Sequence, residues 1–417
     1  AGFVTTDGGL TYTHTSTAPG AAQAALQALV YQAAPGQAGT ATLAIGVNDG
    51  HVIVSNSVTT VQSSVPSATT ALAVAFSADS GISNTDLVTN VAAQTISGTL
   101  SAALQSGEQV QISLDNGATW ANATASVGNT AFTLAGQTLT GAGVLQVRVT
   151  NPGGSNTPYS VNYKLDTTAP TTTGAAVSFS SDSGASSTDL ITRTAQQTVS
   201  GTLTAGLAAD ERVEVSLNNG TSWTTASSSA GSTAWSLAGV TLTGSNTLQV
   251  RVVDAAGNAG AVQGTAYVLD VTGPTATLST SVNVMGAGQS TAITVSFSEA
   301  PYGLSLASFA GVNGTVSNLQ ATADPRVFTV DYSPNSGLGG VLGGVQLVAG
   351  TYTDIAGNAG GAGSALGISI TLGPTVAITS DKAVLNASQA ANLTFTFSAV
   401  PFGFTSSDIV ATGGTIS

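Results

Sequence analysis

The 417-residue sequence has no cysteine, one methionine, 5% aromatic residues and 6% charged residues. Without cysteine no disulfide can staple small domains, so each domain must be held together by its own apolar core. Only Lys164 and Lys382 are lysines, and the formal net charge is −13. Nucleic acids and anionic membranes are therefore unsuitable partners, because both require basic patches, whereas cations are suitable ones.

Long apolar runs and catalytic motifs are missing as well. No stretch of about 18 apolar residues occurs, so no membrane insertion is predicted for this segment. The two histidines, His14 and His51, lie near the N-terminus, and neither HExxH nor GxSxG appears. The glycine-rich run at 336–345 lacks the lysine of a phosphate-binding loop. We therefore expect that the protein is not an enzyme.

What is present is Gly, Ala, Ser and Thr, with short runs in which Val, Leu and Ile alternate with polar residues. The segment VEVSLNNGTSW (213–223) predicts a strand, an Asn-Gly turn and a second strand. About seven such strands per ~100 residues are typical of an immunoglobulin-like sandwich. The sequence therefore predicts an all-β fold, a tandem array of immunoglobulin-like β-sandwich domains.

Internal repeats divide the chain. QTISGTLSAAL (94–104) returns as QTVSGTLTAGL (197–207), and LQVRV returns with the same offset. Downstream, VSFSEAPYG from residue 295 is matched by FTFSAVPFG from residue 395. Five segments are predicted: a partial cadherin-like or Ig-like domain (1–65), two Ig-like repeats (66–168 and 169–273), a repeat of a second subtype (274–373) and an incomplete copy of it (374–417). We expect the chain to be part of a longer protein.

The phrases VRVVDAAGNAG (250–260), YVLDVTGP (267–274) and YKLDTTAP (163–170) resemble bacterial immunoglobulin-like repeats of giant adhesins exported by type I secretion, of the RTX and biofilm type. The opening segment is similar to the cadherin-like repeats of the same proteins. The resemblance implies a non-catalytic, extracellular or cell-surface spacer that supports cell adhesion or biofilm formation.

Two other functions stay open at this point. The chain could be a self-assembling subunit of a surface layer or extracellular filament, with other copies of itself as partners. Such a subunit should form lattices or fibres, whereas a spacer should be a monomeric rod. An array of carbohydrate-binding modules ranks third, because it needs an exposed aromatic platform. Trp120 and Trp223 occupy equivalent places in two repeats, and we expect them to pack in the core or at its rim.

Acidic residues recur in one loop. FSADSGISNTDLVT (76–89) contains Asp79 and Asp86, and FSSDSGASSTDLIT (179–192) contains Asp182 and Asp189. Each loop should lie at the exit end of its domain, beside the linker and a late loop of the next domain. Two acidic junctions are therefore predicted, one from Asp79, Asp86, Asp166 and Asp254, and one from Asp182, Asp189, Asp270 and Asp354.

Converging carboxylates repel one another, and a hard divalent cation removes that repulsion by taking their oxygens as ligands. Calcium suits such a site, and the family resemblance also implies calcium between repeats. The alternative is that these aspartates only form turns and cap strands. The acid-free linkers TTVQSSVPSATT (59–70) and ITLGPTV (370–376) predict junctions without a comparable metal site. Asp49 is interpreted as a turn residue rather than a remnant ligand.

Overall fold

The computed structural model describes residues 4–5, 12–13, 23, 27, 30, 39–48, 53–286, 288–401 and 403–417. His14, Asp49 and His51, which the sequence analysis considered, lie outside the described residues. Within the part of the chain that is described, no helix is long and apolar enough to cross a membrane. The described residues before 64 form two antiparallel strand pairs: β1 (Val4–Thr5) with β2 (Tyr12–Thr13), and β3 (Gly39–Asn48) with β4 (Ile53–Ser63).

The first complete repeat is a two-sheet sandwich. Its strands are β5 (Ala71–Phe76), β6 (Val88–Thr89), β7 (Ala93–Leu100), β8 (Gln109–Ser113), β9 (Ala121–Asn122), β10 (Thr124–Ala125), β11 (Ala131–Thr138), β12 (Ala142–Asn151), β13 (Gly154–Ser155) and β14 (Tyr159–Leu165). One sheet has the order β10-β11-β7-β5, and the other has the order β6-β14-β12-β8-β9 with β13 paired to β12. The two sheets face each other across one apolar core.

The second repeat has the same arrangement. Its strands are β15 (Gly174–Phe179), β16 (Ile191–Thr192), β17 (Gln196–Leu203), β18 (Glu211–Ser216), β19 (Thr224–Thr225), β20 (Ser227–Ser228), β21 (Ala234–Thr241), β22 (Asn246–Asp254) and β23 (Gln263–Leu269). They form sheets of order β15-β17-β21-β20 and β16-β23-β22-β18-β19. The short strand β16 pairs in parallel with β23, as β6 does with β14. This parallel pairing holds the end of the acidic loop beside the strand that leads into the linker.

The third repeat keeps the strand order of the second, without a counterpart of β19 among the described residues. It contains β24 (Ala276–Ser279), β25 (Val284–Gly286), β26 (Thr291–Phe297), a 3-10 helix (Leu306–Ser308), β27 (Phe309–Val312), β28 (Gly314–Ala321), β29 (Val327–Pro334), β30 (Val341–Leu347) and β31 (Leu366–Thr371). Its sheets have the orders β24-β26-β29-β28 and β25-β31-β30-β27. Beyond it, β32 (Val376–Ser380) pairs with β33 (Leu393–Phe397), and a second 3-10 helix spans Ser406–Asp408.

Alternating side chains build each core. In β12, Leu145, Val147 and Val149 are fully buried while the residues between them face outward. Each such side chain contributes about 1.5–3 kcal/mol when it is removed from water. Phe76 meets Tyr163 edge to face, and the Tyr163 hydroxyl donates to the Leu114 carbonyl at 3.0 Å. The predicted all-β array of sandwiches is therefore confirmed, and the period-two pattern is its cause.

Contacts within the chain group it into two compact units. The first comprises Ala1–Ala169 together with Asp254–Asn258, and the second comprises Pro170–Val253 and Ala259–Ser417. The five-residue segment Asp254–Asn258 follows β22 of the second repeat, yet it belongs to the unit of the first repeat. This loop of the second repeat therefore packs as part of the unit that contains the first repeat.

Candidate metal centre

The acidic loops of the first two repeats share one local structure. In the second repeat the Leu190 N–H donates to Asp182 Oδ2 at 3.0 Å, and the Ile191 N–H donates to Asp189 Oδ1 at 3.0 Å. Leu190 has a φ of 59°, in the left-handed region that leucine rarely adopts. Its side chain is buried in the core, and this burial together with the Asp182 contact maintains the unusual backbone. Leu87 and Asp79 have the same relation in the first repeat.

Each loop leaves one carboxylate oxygen without a donor. Among the described residues, Asp182 Oδ1 and Asp79 Oδ1 are buried and have no hydrogen-bond partner. Burial raises the pKa of Asp182, and the nearby charge of Asp189 raises it further. The pKa of Asp79 is raised in the same way, by burial first and then by Asp86. A buried, unpartnered carboxylate oxygen is a destabilising feature unless a positive charge compensates it.

The acidic loop of the second repeat docks on the loop that begins at Asp354. Ser183 Oγ donates to the Ala356 carbonyl at 2.7 Å, and the Ala185 N–H donates to the Ile355 carbonyl at 3.0 Å. Between these two residues Gly184 has a φ of 101°, and a Cβ on it would lie 2.0 Å from Ile355 O. Only glycine permits this approach.

The first repeat docks on the loop that begins at Asp254 by the same contacts. Ser80 Oγ donates to the Ala256 carbonyl at 2.7 Å, and the Ile82 N–H donates to the Ala255 carbonyl at 3.2 Å. A Cβ on Gly81 would lie 1.9 Å from Ala255 O. The expected meeting of the exit loop with a late loop of the following repeat is therefore present in both places.

An asparagine that the sequence analysis did not select ties the linker to this loop. Asn358 Nδ2 donates to the Asp270 carbonyl at 2.9 Å and to Asp354 Oδ2 at 2.7 Å. The Asn358 N–H donates to Asp354 Oδ1 at 2.8 Å. Asn258 makes the equivalent bonds to the Asp166 carbonyl and to Asp254. In both DAAGN (254–258) and DIAGN (354–358) the asparagine lies four residues after the aspartate, and this repetition is the signal that could have identified it.

Three carboxylates come together in the second unit. One oxygen each of Asp270, Glu299 and Asp354 lies within 4.8 Å of the others. Asp354 is buried, and Asp270 and Glu299 are half-buried. Burial raises the pKa of Glu299, and the charges of Asp270 and Asp354 add to the increase. Among the described residues, no lysine, arginine or histidine forms an ion pair with any of the three.

Glu299 was missed because it lies in the third repeat, just after β26. The preceding residue, Ser298, donates its N–H to the Thr275 carbonyl, and Thr204 does the same to Thr173 one repeat earlier. This match makes Ala205 the equivalent of Glu299 in the second repeat and Ala102 its equivalent in the first. The acid in SFSE is therefore specific to one repeat, a difference visible in the sequence once the strands are aligned.

The linker after the first repeat carries its own counter-charge. Lys164 Nζ lies 2.9 Å from Asp166 Oδ2, and this pairing lowers the pKa of Asp166. At the equivalent position before Asp270 the second repeat has Val268. Of the eight predicted ligands, Asp270 and Asp354 lie together with Glu299. Asp79 interacts with Asp86, and Asp182 interacts with Asp189, as two pairs within their own loops. Asp166 is paired with Lys164, and Asp254 accepts a hydrogen bond from Asn258.

The cluster of Asp270, Glu299 and Asp354, called the linker triad below, fits a hard divalent cation by its chemistry. Its donors are all oxygens, and it has no described counter-ion. Asn358 directs its amide nitrogen to Asp270 and Asp354, and its amide oxygen accepts no hydrogen bond from the described residues, so this oxygen could add a neutral ligand. Six to eight oxygens in loose geometry are the preference of calcium rather than of zinc or copper. The binding of calcium stays a prediction.

The acid-free linker before the first repeat is held differently. Asn151 Nδ2 donates to the Val65 carbonyl at 2.9 Å, and Asn156 donates to the Thr69 carbonyl. A Cβ on Gly153 would lie 2.5 Å from the carbonyl carbons of Ser64 and Val65. Neutral amide and backbone contacts thus take the place of carboxylates at this linker, where the sequence predicted no metal site.

Comparison with known proteins gives matches of two kinds. Two family models, each described as a bacterial Ig-like domain, match residues 64–167 and 168–271, and residues 270–370 and 371–417, respectively. No protein of curated function matches the chain.

Solved structures match at low similarity. A 1.5-MDa bacterial ice-binding adhesin shares 17% identity at a TM-score of 0.25, covering 74% of this chain and 99% of that one. An Escherichia coli adhesin shares 14% identity at a TM-score of 0.27, covering 72% and 96%. A surface-layer protein shares 9% identity at a TM-score of 0.22, covering 79% and 62%. The functional argument therefore rests on the family match and on the residues described above.

Proposed function

Because this chain belongs to the bacterial Ig-like domain family, whose models match residues 64–417, we propose that it is a non-catalytic repeat region of a large surface adhesin. In this proposal the region acts outside the cell as a spacer that supports cell adhesion or biofilm formation. Calcium ions fix the junctions between its repeats, and the neighbouring repeats of the same chain are its main partners.

The linker triad is the observation that carries the calcium proposal. Its three carboxylates come from the linker after β23, the turn after β26 and the loop that follows residue 353. At about 4.8 Å and an effective dielectric of about 20, each pair of full charges repels by roughly 3 kcal/mol, and less where water screens it. An apo junction is therefore strained by its own charges.

A divalent cation at the linker triad would replace the repulsion among the three carboxylates by their attraction to the ion. A bound calcium ion would supply the positive charge and accept oxygens from all three segments at once. Ligand binding to the docked arrangement alone stabilises it by about 2.7 kcal/mol when the ligand is at a hundredfold excess over its Kd. Extracellular calcium modules commonly have Kd values of about 10⁻⁴–10⁻³ M. With such an affinity the junction would be loose at low calcium inside the cell and stiff outside.

The acidic loops of the first two repeats also support the proposal that cations bind at the junctions. Asp79 Oδ1 and Asp182 Oδ1 are buried without a partner among the described residues, each beside a second aspartate. A cation at each loop would offset both the burial of the unpartnered oxygen and the repulsion between the two aspartates. The Lys164 amine already compensates Asp166, so the metal contribution at that linker is expected to be smaller than at Asp270.

A calcium-dependent melt of the full chain tests the proposal. We expect calcium, compared with a chelator, to raise the melting temperature by several degrees, since 1 kcal/mol shifts Tm by about 2–4 °C for units of this size. Glu299→Ala installs the residue that the second repeat has at this position, Ala205, and should remove a large part of the increase. Glu108→Gln, which removes a charge from a loop of the first repeat, is the control and should leave the increase intact.

Small-angle scattering of the same samples reports the mechanical consequence. Calcium should increase the maximum dimension and narrow its distribution in the wild type, and should do so less in Glu299→Ala. An unchanged melting temperature and an unchanged maximum dimension on calcium addition would contradict the proposal.

A further inference from the structure

A cavity of about 290 Å³ opens at the edge of the first repeat, between the β8–β9 side of one sheet and the end of β11 in the other. Its aromatic lining consists of Trp120 and Tyr163. Its polar lining includes Asp115, Thr119 and Gln137. This Trp120 cavity is distant in sequence from the acidic loops, and none of the proposed metal ligands lines it.

The aromatic walls are fixed before any ligand arrives. Trp120 Nε1 donates to the Gly117 carbonyl at 2.9 Å, and the guanidinium carbon of Arg148 lies 3.9 Å from the centre of the Trp120 ring. The Tyr163 hydroxyl donates to Leu114, and its ring is buried. A ligand that contacts rigid aromatic rings does not have to order them, so less of its binding free energy is lost.

The polar groups of the cavity are mixed acceptors and donors. Asp115 accepts hydrogen bonds from Ser113 and from the N–H and hydroxyl of Thr119, which lower its pKa to about 2. Asp115 is therefore an ionised acceptor at neutral pH. Gln137 donates one amide hydrogen to the Ala135 carbonyl, and its side-chain oxygen accepts no hydrogen bond from the described residues. A ligand with several hydroxyl groups can satisfy such a set, because each hydroxyl both donates and accepts.

The second repeat shows that the fold does not require this polar lining. It keeps the aromatic frame as Trp223, under Arg251 at 4.0 Å, and as Tyr267. At the equivalents of Asp115 and Gln137, however, it has Asn218 and Val240. Val240 is 6% exposed and belongs to the apolar core, whereas Gln137 is half-buried and faces the cavity. The polar lining is thus a property of the first repeat, added to a frame that both repeats share.

We propose that the Trp120 cavity binds one ring of a neutral saccharide. Its volume is at the lower end of small-molecule sites, so it suits a single ring rather than a long chain. The Asp115 carboxylate would repel acidic sugars. Arg148 already occupies the cation–π position on one face of the Trp120 ring, so a cationic ligand finds that face taken. A neutral pyranose can offer apolar C–H faces to Trp120 and hydroxyls to Asp115 and Gln137.

Indole N–H signals of the isotope-labelled full chain test this proposal. The chain has three tryptophans, so Trp223 and Trp235 are internal controls for Trp120. Titration in the presence of a chelator with methyl glycosides of glucose, galactose, mannose and N-acetylglucosamine should shift the Trp120 signal alone. For so small a ligand the expected Kd is on the order of 1 mM. The chelator makes the result independent of the calcium proposal.

The double substitution Asp115→Asn with Gln137→Val converts the lining into that of the second repeat. The sister repeat carries both residues in the same fold, so the melting temperature should stay nearly unchanged while the affinity falls at least about tenfold. Choline is titrated in parallel as the cationic probe. A Trp120 shift with choline but with none of the glycosides would overturn the proposal. So would the absence of any shift at about twentyfold the expected Kd, or a double variant that binds the sugar as well as the wild type.

Discussion

Gly184→Ala tests the docking between the acidic loop and the loop after Asp354. A Cβ at this position would lie 2.0 Å from Ile355 O and 2.7 Å from Ala356 C, and both are backbone atoms that cannot turn aside. Gly231, in the same repeat, is a matched control because it also has a positive φ, of 77°, but has nothing within 4 Å of its would-be Cβ. Both substitutions place an alanine at a positive φ, 101° at Gly184 and 77° at Gly231, which costs at least about 1–2 kcal/mol.

The difference between the two variants measures the docking contacts. Alanine at 184 must push the loops apart and break the bonds from Ala185 N to Ile355 O, at 3.0 Å, and from Ser183 Oγ to Ala356 O, at 2.7 Å. At about 0.5–1.5 kcal/mol for each bond, the added loss is about 1–3 kcal/mol. Amide hydrogen exchange at Ala185 should therefore accelerate by roughly 5- to 150-fold relative to Gly231→Ala. Equal exchange rates in the two variants would refute the docking argument.

Two further predictions concern the same junction. In chelator, lowering the pH from 7 toward the ordinary glutamate pKa of 4.5 should raise the melting temperature. Burial raises the pKa of Glu299 and of Asp182 in the folded protein above the ordinary values of 4.5 and 3.8, so the stability that is lost as the pH rises through the raised values returns on protonation. With calcium, acidification should instead lower the melting temperature, and Glu299→Gln should make the pH dependence weaker. A melting temperature that falls steadily on acidification in chelator would contradict this prediction. Asn358→Ala should cost about 1.5–3 kcal/mol in denaturant melts, since it removes the side-chain donor to Oδ2 of the buried Asp354 and to the Asp270 carbonyl. Asn392→Ala removes only an exposed side-chain contact to Asp381 and should cost less than about 1 kcal/mol. Equal costs would argue against the role of Asn358.

The parts of the fold that sequence could predict are those set by local pattern. Alternation in LQVRV places Leu145 and Val147 in the core, and internal repetition predicts that its second copy does the same. The recurrence of Asp182 and Asp189 with Asp79 and Asp86 likewise predicted which loop meets the next repeat. These inferences depend on residues close together in sequence or on copies of one another.

What sequence could not predict depends on which segments meet in space. Glu299 joins Asp270 and Asp354 from a turn of a different repeat subtype, so no copy of it exists in the first two repeats to draw attention. Lys164 lies two residues before Asp166, and only the paired strands show that its amine compensates that carboxylate. The domain limits at 65, 168, 273 and 373 and the binding of calcium stay predictions.

A long-wavelength anomalous diffraction experiment on crystals of the full chain grown with calcium tests the central claim most directly. A calcium ion at the linker triad should give an anomalous peak about 2.3–2.6 Å from carboxylate oxygens of Asp270, Glu299 and Asp354. The peak should vanish in crystals of Glu299→Ala grown in the same way. Three carboxylates that turn away from one another into solvent, with no anomalous density between them at millimolar calcium, would contradict the account.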